Sequence, residues 1–199
     1  MKVKIYIEGG GDSHLQDTQF RAAWAAFFGK AGFAGRMPAT FRCGGRNQAF
    51  DDFRTAVKNR RRDELPLLLV DSEDLVVAGR SPWEHLEVRD GWIRPPGAGP
   101  EDAFLMIACM ETWFVADRQA LQRFFGGCLR ENALPRWPAP EAVEKRTIFA
   151  SLDQATAGCG KKVYDKGKVS FELLNRIDPE VVARHCPGAR RLLDRLRNL

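Results

Sequence analysis

Hydrophobic positions divide the first 130 residues into alternating short and long apolar units. Val3, Ile5, Tyr6 and Ile7 are dense enough to predict a mostly buried strand over residues 2–7. Ser13, with Gln16 three residues on, has the form of a capping box. Phe20, Trp24, Phe27 and Phe28 then recur at helical spacing, and Gly29 and Gly32 predict the helix end. The unit repeats. Residues 40–43 predict a short strand, Gly44-Gly45 a turn, and Asn47 the cap of a helix with Phe50, Phe53 and Val57 on one face. Arg60-Arg61-Arg62 closes that helix, where cations suit the C-terminus.

Pro66 precedes a third strand over residues 67–70, a continuous apolar run of the kind buried on both faces in a parallel sheet. A less regular stretch follows. Within it, Ser81-Pro82-Trp83-Glu84 predicts a capped helix reaching about Val88, and Asp90-Gly91 a turn. Residues 104–109 read as a fourth strand, running through Met110 into one helix that reaches about Phe125 and stops at Gly126-Gly127. Strands alternating with helices imply βαβ crossovers and a parallel sheet. The expected fold is α/β, a mostly parallel four-stranded sheet flanked by helices. Residues 1–132 form this core. The proline-rich segment 134–140 leads into a basic helical extension, residues 133–199, packed on the core. Its helices begin near Glu141 and at Asp178-Pro179, on either side of a basic turn spanning residues 161–168.

Composition changes this picture little. Hydrophobic content of 44% and charged content of 29% are ordinary for a globular chain. No apolar run approaches the roughly 20 residues that span a bilayer, and the N-terminus carries no signal segment. The expected location is therefore cytoplasmic, with no membrane partner. Five scattered cysteines without a paired spacing read as free thiols rather than a disulfide framework or zinc site. Charge is more informative. The net +5 lies wholly beyond Ala133, where 13 Lys and Arg stand against 8 Asp and Glu; the remainder carries 18 of each. A basic patch there would attract a polyanion, and a solvated helix surface accounts for it equally well.

In an open parallel sheet, ligands bind beyond the carboxyl ends of the strands. The acidic residues cluster at these ends: Glu8 and Asp12 after the first strand, Asp71, Glu73 and Asp74 after the third, Glu111 after the fourth. Converging carboxylates repel unless a cation neutralises them. Oxygen donors without a histidine cluster favour Mg²⁺ or Mn²⁺ over zinc. Asp12 and Ser13 read better as a helix start, and Glu111 reads equally as site acid or first-turn acid. Arg46, beside two glycines, is placed to hold a phosphate or to lie on the surface. Lys166 and Lys168 flank a glycine and suit a nucleic-acid backbone or a solvated loop. His14 and His85 read as ordinary surface or helix residues. The glycine run fits neither a Gly-x-x-x-x-Gly-Lys-Ser/Thr loop nor a Gly-x-Gly-x-x-Gly turn.

A strand ending in Glu8-Gly9, followed by a third strand ending in Asp71-Ser72-Glu73, resembles the signature of Toprim domains, found in topoisomerases, primases and several nucleases. More closely, the chain resembles a bacterial Toprim-related family known only as a domain of unknown function. That likeness rests on residues 6–13, Cys43-Gly44-Gly45-Arg46, Val70-Asp71-Ser72-Glu73, residues 109–117 and residues 164–171. The resemblance implies Glu8 as general acid/base and Asp71 with Glu73 as metal ligands; the reading of acids at the strand ends adds Glu111 as a third. Arg46, Lys166 and Lys168 would clamp phosphates. The implied activity is Mg²⁺-dependent cleavage of phosphodiester bonds in DNA or RNA, in a setting of anti-phage defence. The alternatives are a non-catalytic or conditionally active partner subunit of an ATPase, or a module that binds nucleic acid or a phosphorylated ligand. Two departures stand out. The second metal position is Glu73 rather than aspartate, whose longer side chain moves the ligand oxygen, and the glycine usual just beyond it is displaced to Gly79. Topoisomerase action is disfavoured, because the only tyrosines are Tyr6 and Tyr164; primase action lacks a zinc module.

Overall fold

A computed structural model describes residues 1–9 and 14–199, and the backbone alone at His14 and Leu15. The expected cap at Ser13 and the residues Gly10, Gly11 and Asp12 lie outside the described residues. Four strands form one sheet: β1 (Lys2–Ile7), β2 (Ala39–Arg42), β3 (Glu64–Asp71) and β4 (Ala103–Met106). Their order is β2-β1-β3-β4, and every pairing is parallel. The α/β class and the four-stranded parallel sheet are as expected from the pattern.

Alternation along the strands divides the side chains between two faces. Ile5, Ile7, Leu67, Leu69, Phe104 and Met106 face the larger core. There α1 (His14–Phe28) brings Trp24 and Phe27 against Trp113 of α4 (Glu111–Ala116), with ring centroids 6.0 and 5.4 Å apart. The C-terminal helices α6 (Lys145–Thr156), α7 (Lys168–Leu174), α8 (Pro179–His185) and α9 (Pro187–Arg197) feed Leu152, Leu173, Val182 and Leu192 into the same core. Leu68, Val70 and Leu105 point to the other face. They pack against Phe50 and Phe53 of α2 (Arg46–Lys58) and Trp83 and Leu86 of α3 (Pro82–Asp90). Helices therefore cover both faces of the sheet, as strands this apolar require.

Several local expectations are corrected. Pro66 lies inside β3 rather than before it. Even-numbered amides of this strand point toward β4, as Leu68 N–H donating to the Asp102 carbonyl shows. Pairing with β4 begins only at Leu68, so the missing N–H of Pro66 faces a place where no partner strand has started. Gly45, not Asn47, caps α2, which ends at Lys58 before the arginine run. Gly29 does not stop α1; the chain continues through a wide turn, Gly29–Phe33, until Gly32 adopts φ 89°. The single helix expected after β4 is two, α4 and α5 (Arg118–Phe125). Asp117 breaks it, with its Oδ1 accepting from Ala120 N–H and its Oδ2 from Asp178 N–H. The capping box at Ser81 and the Asp178 cap are present.

The cysteines also depart from expectation. Cys128 and Cys159 form a disulfide joining the ends of α5 and α6, while Cys43, Cys109 and Cys186 are free and buried. Closing a 31-residue separation restricts the unfolded chain, worth about 3–4 kcal/mol in the chain-entropy model. Protein purified in air and unfolded without reductant should show three titratable thiols, rising to five on reduction. Cys128→Ser should then lower stability by about 3–4 kcal/mol only under oxidising conditions. Five thiols before reduction would contradict the pairing.

Candidate functional site

The sheet order reverses at β1. The chain leaves β1 for β2 on one side and returns to place β3 on the other. The carboxyl ends of β1 and β3 are thus neighbours at a topological switch point, where α/β sheets open a crevice. Glu8 follows β1, with its N–H donating to the Leu69 carbonyl, and Asp71 ends β3. Both line a cleft of about 480 Å³, together with Glu111, Met110 and Lys166.

Each acid is held from a different direction. Asp71 is only 15% exposed; its Oδ1 accepts from Met110 N–H at 2.9 Å, at the start of α4. Its Oδ2 lies 3.3 Å from Lys145 Nζ. Glu73 Oε1 meets the same ammonium at 2.6 Å. Glu111 is buried in the first turn of α4 and accepts from the Tyr164 hydroxyl. Behind Glu8, Arg46 Nη1 lies 3.4 Å from Glu8 Oε2 and also donates to the Asp71 carbonyl. Its Nε and Nη2 grip Asp90 at 3.0 and 2.7 Å, and Trp92, stacked on Phe50, lies under the guanidinium. Arg46 is therefore committed inside the protein, fixing Glu8 against the end of β3.

The turn beyond Asp71 is strained. Glu73 and Ala108 adopt φ 66° and 62°, the left-handed region that side chains with Cβ seldom enter. Hydrogen bonds hold them there. Glu73 N–H donates to the Ala108 carbonyl, and Ala108 N–H to Ser72 Oγ at 2.7 Å. His85 is buried in α3, with Nε2 2.9 Å from the Ser72 carbonyl, so it braces this turn rather than lying at the surface.

The family described as a domain of unknown function (DUF4276) matches residues 7–197, a span holding every residue of this cleft. The chain belongs to that family. No curated protein and no solved structure matches it. Among the described residues of this DUF4276 chain, no helix is long and apolar enough to cross a membrane.

Of the residues singled out from sequence, the fold gathers Glu8, Asp71, Glu111 and Lys166 in one cleft, with Glu73 and Arg46 beside it. Lys166 also lies 4.4 Å from the Phe149 ring centroid. Lys168 stands apart, exposed and 3.8 Å from Glu172. Lys145, Tyr164 and Asp90 were not legible as site residues. Their partners lie far away in sequence, 74 residues for Lys145 with Asp71 and 53 for Tyr164 with Glu111.

Electrostatics follow from this packing. Burial pushes the Asp71 carboxyl up to about 8, and the negative charges of Glu111, Glu8 and Glu73 add to the effect while Lys145 opposes it. Burial also raises Glu8, against the attraction of Arg46. For Lys145, burial disfavours the charge, but Asp71 and Glu73 outweigh it and hold the ammonium above its ordinary range. Burial and the neighbouring Glu111 raise the Tyr164 phenol, which therefore stays a hydrogen-bond donor. The acidic side chains of the cleft, Glu8, Asp71 and Glu111, offer oxygen donors, the chemistry that suits Mg²⁺ or Mn²⁺. A divalent ion would offset both the burial and the neighbouring negative charges that raise Asp71. Among the described residues, however, no three acidic, histidine or cysteine side chains are gathered to hold a metal as they stand. Between Asp71 and Glu73 the cation is Lys145.

A carboxyl raised from 3.8 to about 8 favours folding in its protonated form. Its contribution is therefore complete at low pH and is lost as pH rises from about 4 to 8. Asp71→Asn should remove that loss. In metal-free buffer its stability relative to wild type should climb over this window to a gain of about 1–3 kcal/mol, then level off. Denaturant titrations across pH check this; a pH-independent difference would contradict the assignment.

Proposed function

We propose that the chain is a Mg²⁺- or Mn²⁺-dependent, Toprim-type nuclease that hydrolyses phosphodiester bonds in DNA or RNA. The observation that carries this reading is the meeting of Glu8, Asp71, Glu111 and Lys166 in one cleft at the switch point of a parallel sheet. Asp71, Glu73 and Glu111 would hold the metal. When bound, it would supply charge neutralisation at the phosphoryl group and lower the pKa of water.

The chain's own residues do the rest. Glu8 has its carboxyl raised by burial, toward the range useful for accepting and returning a proton near neutral pH. Arg46 holds Glu8 in place through Asp90, so Arg46 is a positioning residue rather than a free phosphate clamp. Lys166, at the cleft wall, supplies a cation to a phosphate oxygen. Lys168, on the outer surface, would contact the nucleic-acid backbone further away.

A second reading is favoured by Lys145, whose salt bridges to Asp71 and Glu73 describe a site at rest. In that reading the chain is a conditionally active subunit, and a partner such as an ATPase brings the site into use. Cleavage of labelled DNA and RNA separates the outcomes. With Mg²⁺ or Mn²⁺, wild type should cut, and Glu8→Gln and Asp71→Asn should each fall by about 100-fold or more. Chelator should abolish cleavage. Equal activity in all three proteins would overturn the nuclease reading.

A further inference from the structure

Lys145 is placed where its own helix does not favour a cation. It is the first residue of α6, a 12-residue helix with no acid in its first turn, and a helix N-terminus repels a cation. Burial works against its charge as well. What holds it is a pair of carboxylates, with Nζ 2.6 Å from Glu73 Oε1 and 3.3 Å from Asp71 Oδ2. These are two of the three acids assigned above to the metal.

The surroundings allow the ammonium to leave. Glu73 and Lys145 also line a second, open cavity of about 660 Å³, shared with Asp74, Leu75, Glu144 and Arg146. A lysine has a flexible four-carbon stem and can turn outward into such a space without moving its helix. Asp71 and the Glu73 backbone stay in place. Asp71 is tied to Met110 N–H, and the backbone of Glu73 is fixed by the Ala108 carbonyl.

We propose that Lys145 is a resident counter-cation that trades places with the divalent ion. It partly offsets the charge of Asp71 and Glu73 in the metal-free protein, and metal loading requires it to turn out into the second cavity, toward Asp74 and Glu144. This rests on the reading of the cleft as a metal site. Metal affinity is then set by competition inside the chain, and anything that draws Lys145 outward, such as a bound phosphate, favours loading.

Calorimetry with Mn²⁺ on wild type, Lys145→Met and Lys145→Gln tests this without relying on catalysis. Both variants should bind Mn²⁺ about tenfold tighter or more, because the competing cation is gone. In metal-free buffer both should melt below wild type, and saturating Mn²⁺ should close the gap. Binding in the variants alone would support the exchange still more strongly. Measurable wild-type binding that is unchanged or weakened in both variants would overturn the role of Lys145 and leave the metal reading standing. No Mn²⁺ binding in any of the three proteins would overturn both.

Discussion

The parallel pairing of β1 with β3 is the constraint on which the site depends. Register along this pair, from Lys2 opposite Glu64 to Ile7 opposite Leu69, brings the two strands to their carboxyl ends together. Just beyond, Glu8 stands beside the Asp71 end of β3. Had β2 and β3 exchanged places, β1 would still pair with β3, but β4 would lie beside β2 and Glu111 would be carried away from Asp71. The hydrophobic pattern that buries both sheet faces is therefore also what gathers the charge.

Gathering that charge has a cost, and the structure meets it with side chains from remote parts of the chain. Glu8, Asp71, Glu73 and Glu111 are answered by Arg46, which is shared with Asp90, and by Lys145. Tyr164 and Met110 N–H add hydrogen bonds to Glu111 and Asp71. The compensation is incomplete, as the upward push on Asp71 shows. A buried carboxyl left in this condition favours added positive charge nearby, which is the physical basis of the metal reading proposed for the cleft. The left-handed backbone at Glu73 belongs to the same account, since strain is kept where hydrogen bonds on both sides hold it.

The fold was legible from the sequence because it rests on repeated local signals. Phe20, Trp24 and Phe27 mark one helix face, and Leu67 to Val70 mark a strand covered on both sides. The failures were non-local. Pro66 looked like a strand boundary because its missing donor matters only where a partner strand exists. Asp117 breaks a helix whose apolar spacing runs on from Phe114 to Phe125, so the break became visible only with Asp178 beside it. Cys128 and Cys159 have no motif spacing to announce their pairing. In the site, Glu8 and Asp71 were legible as acids at strand ends. Lys145 was one of thirteen basic residues in the C-terminal region, and only the packing of α6 distinguishes it.

The central claim is that the acids at the ends of β1 and β3 form a cation site whose metal-free occupant is Lys145. Anomalous diffraction from crystals grown with Mn²⁺ tests it most directly. A manganese peak among Asp71, Glu73 and Glu111, with the Lys145 side chain turned toward Asp74 and Glu144, is the predicted result. A cleft without an anomalous peak, and Lys145 still bridging Asp71 and Glu73, would contradict the account.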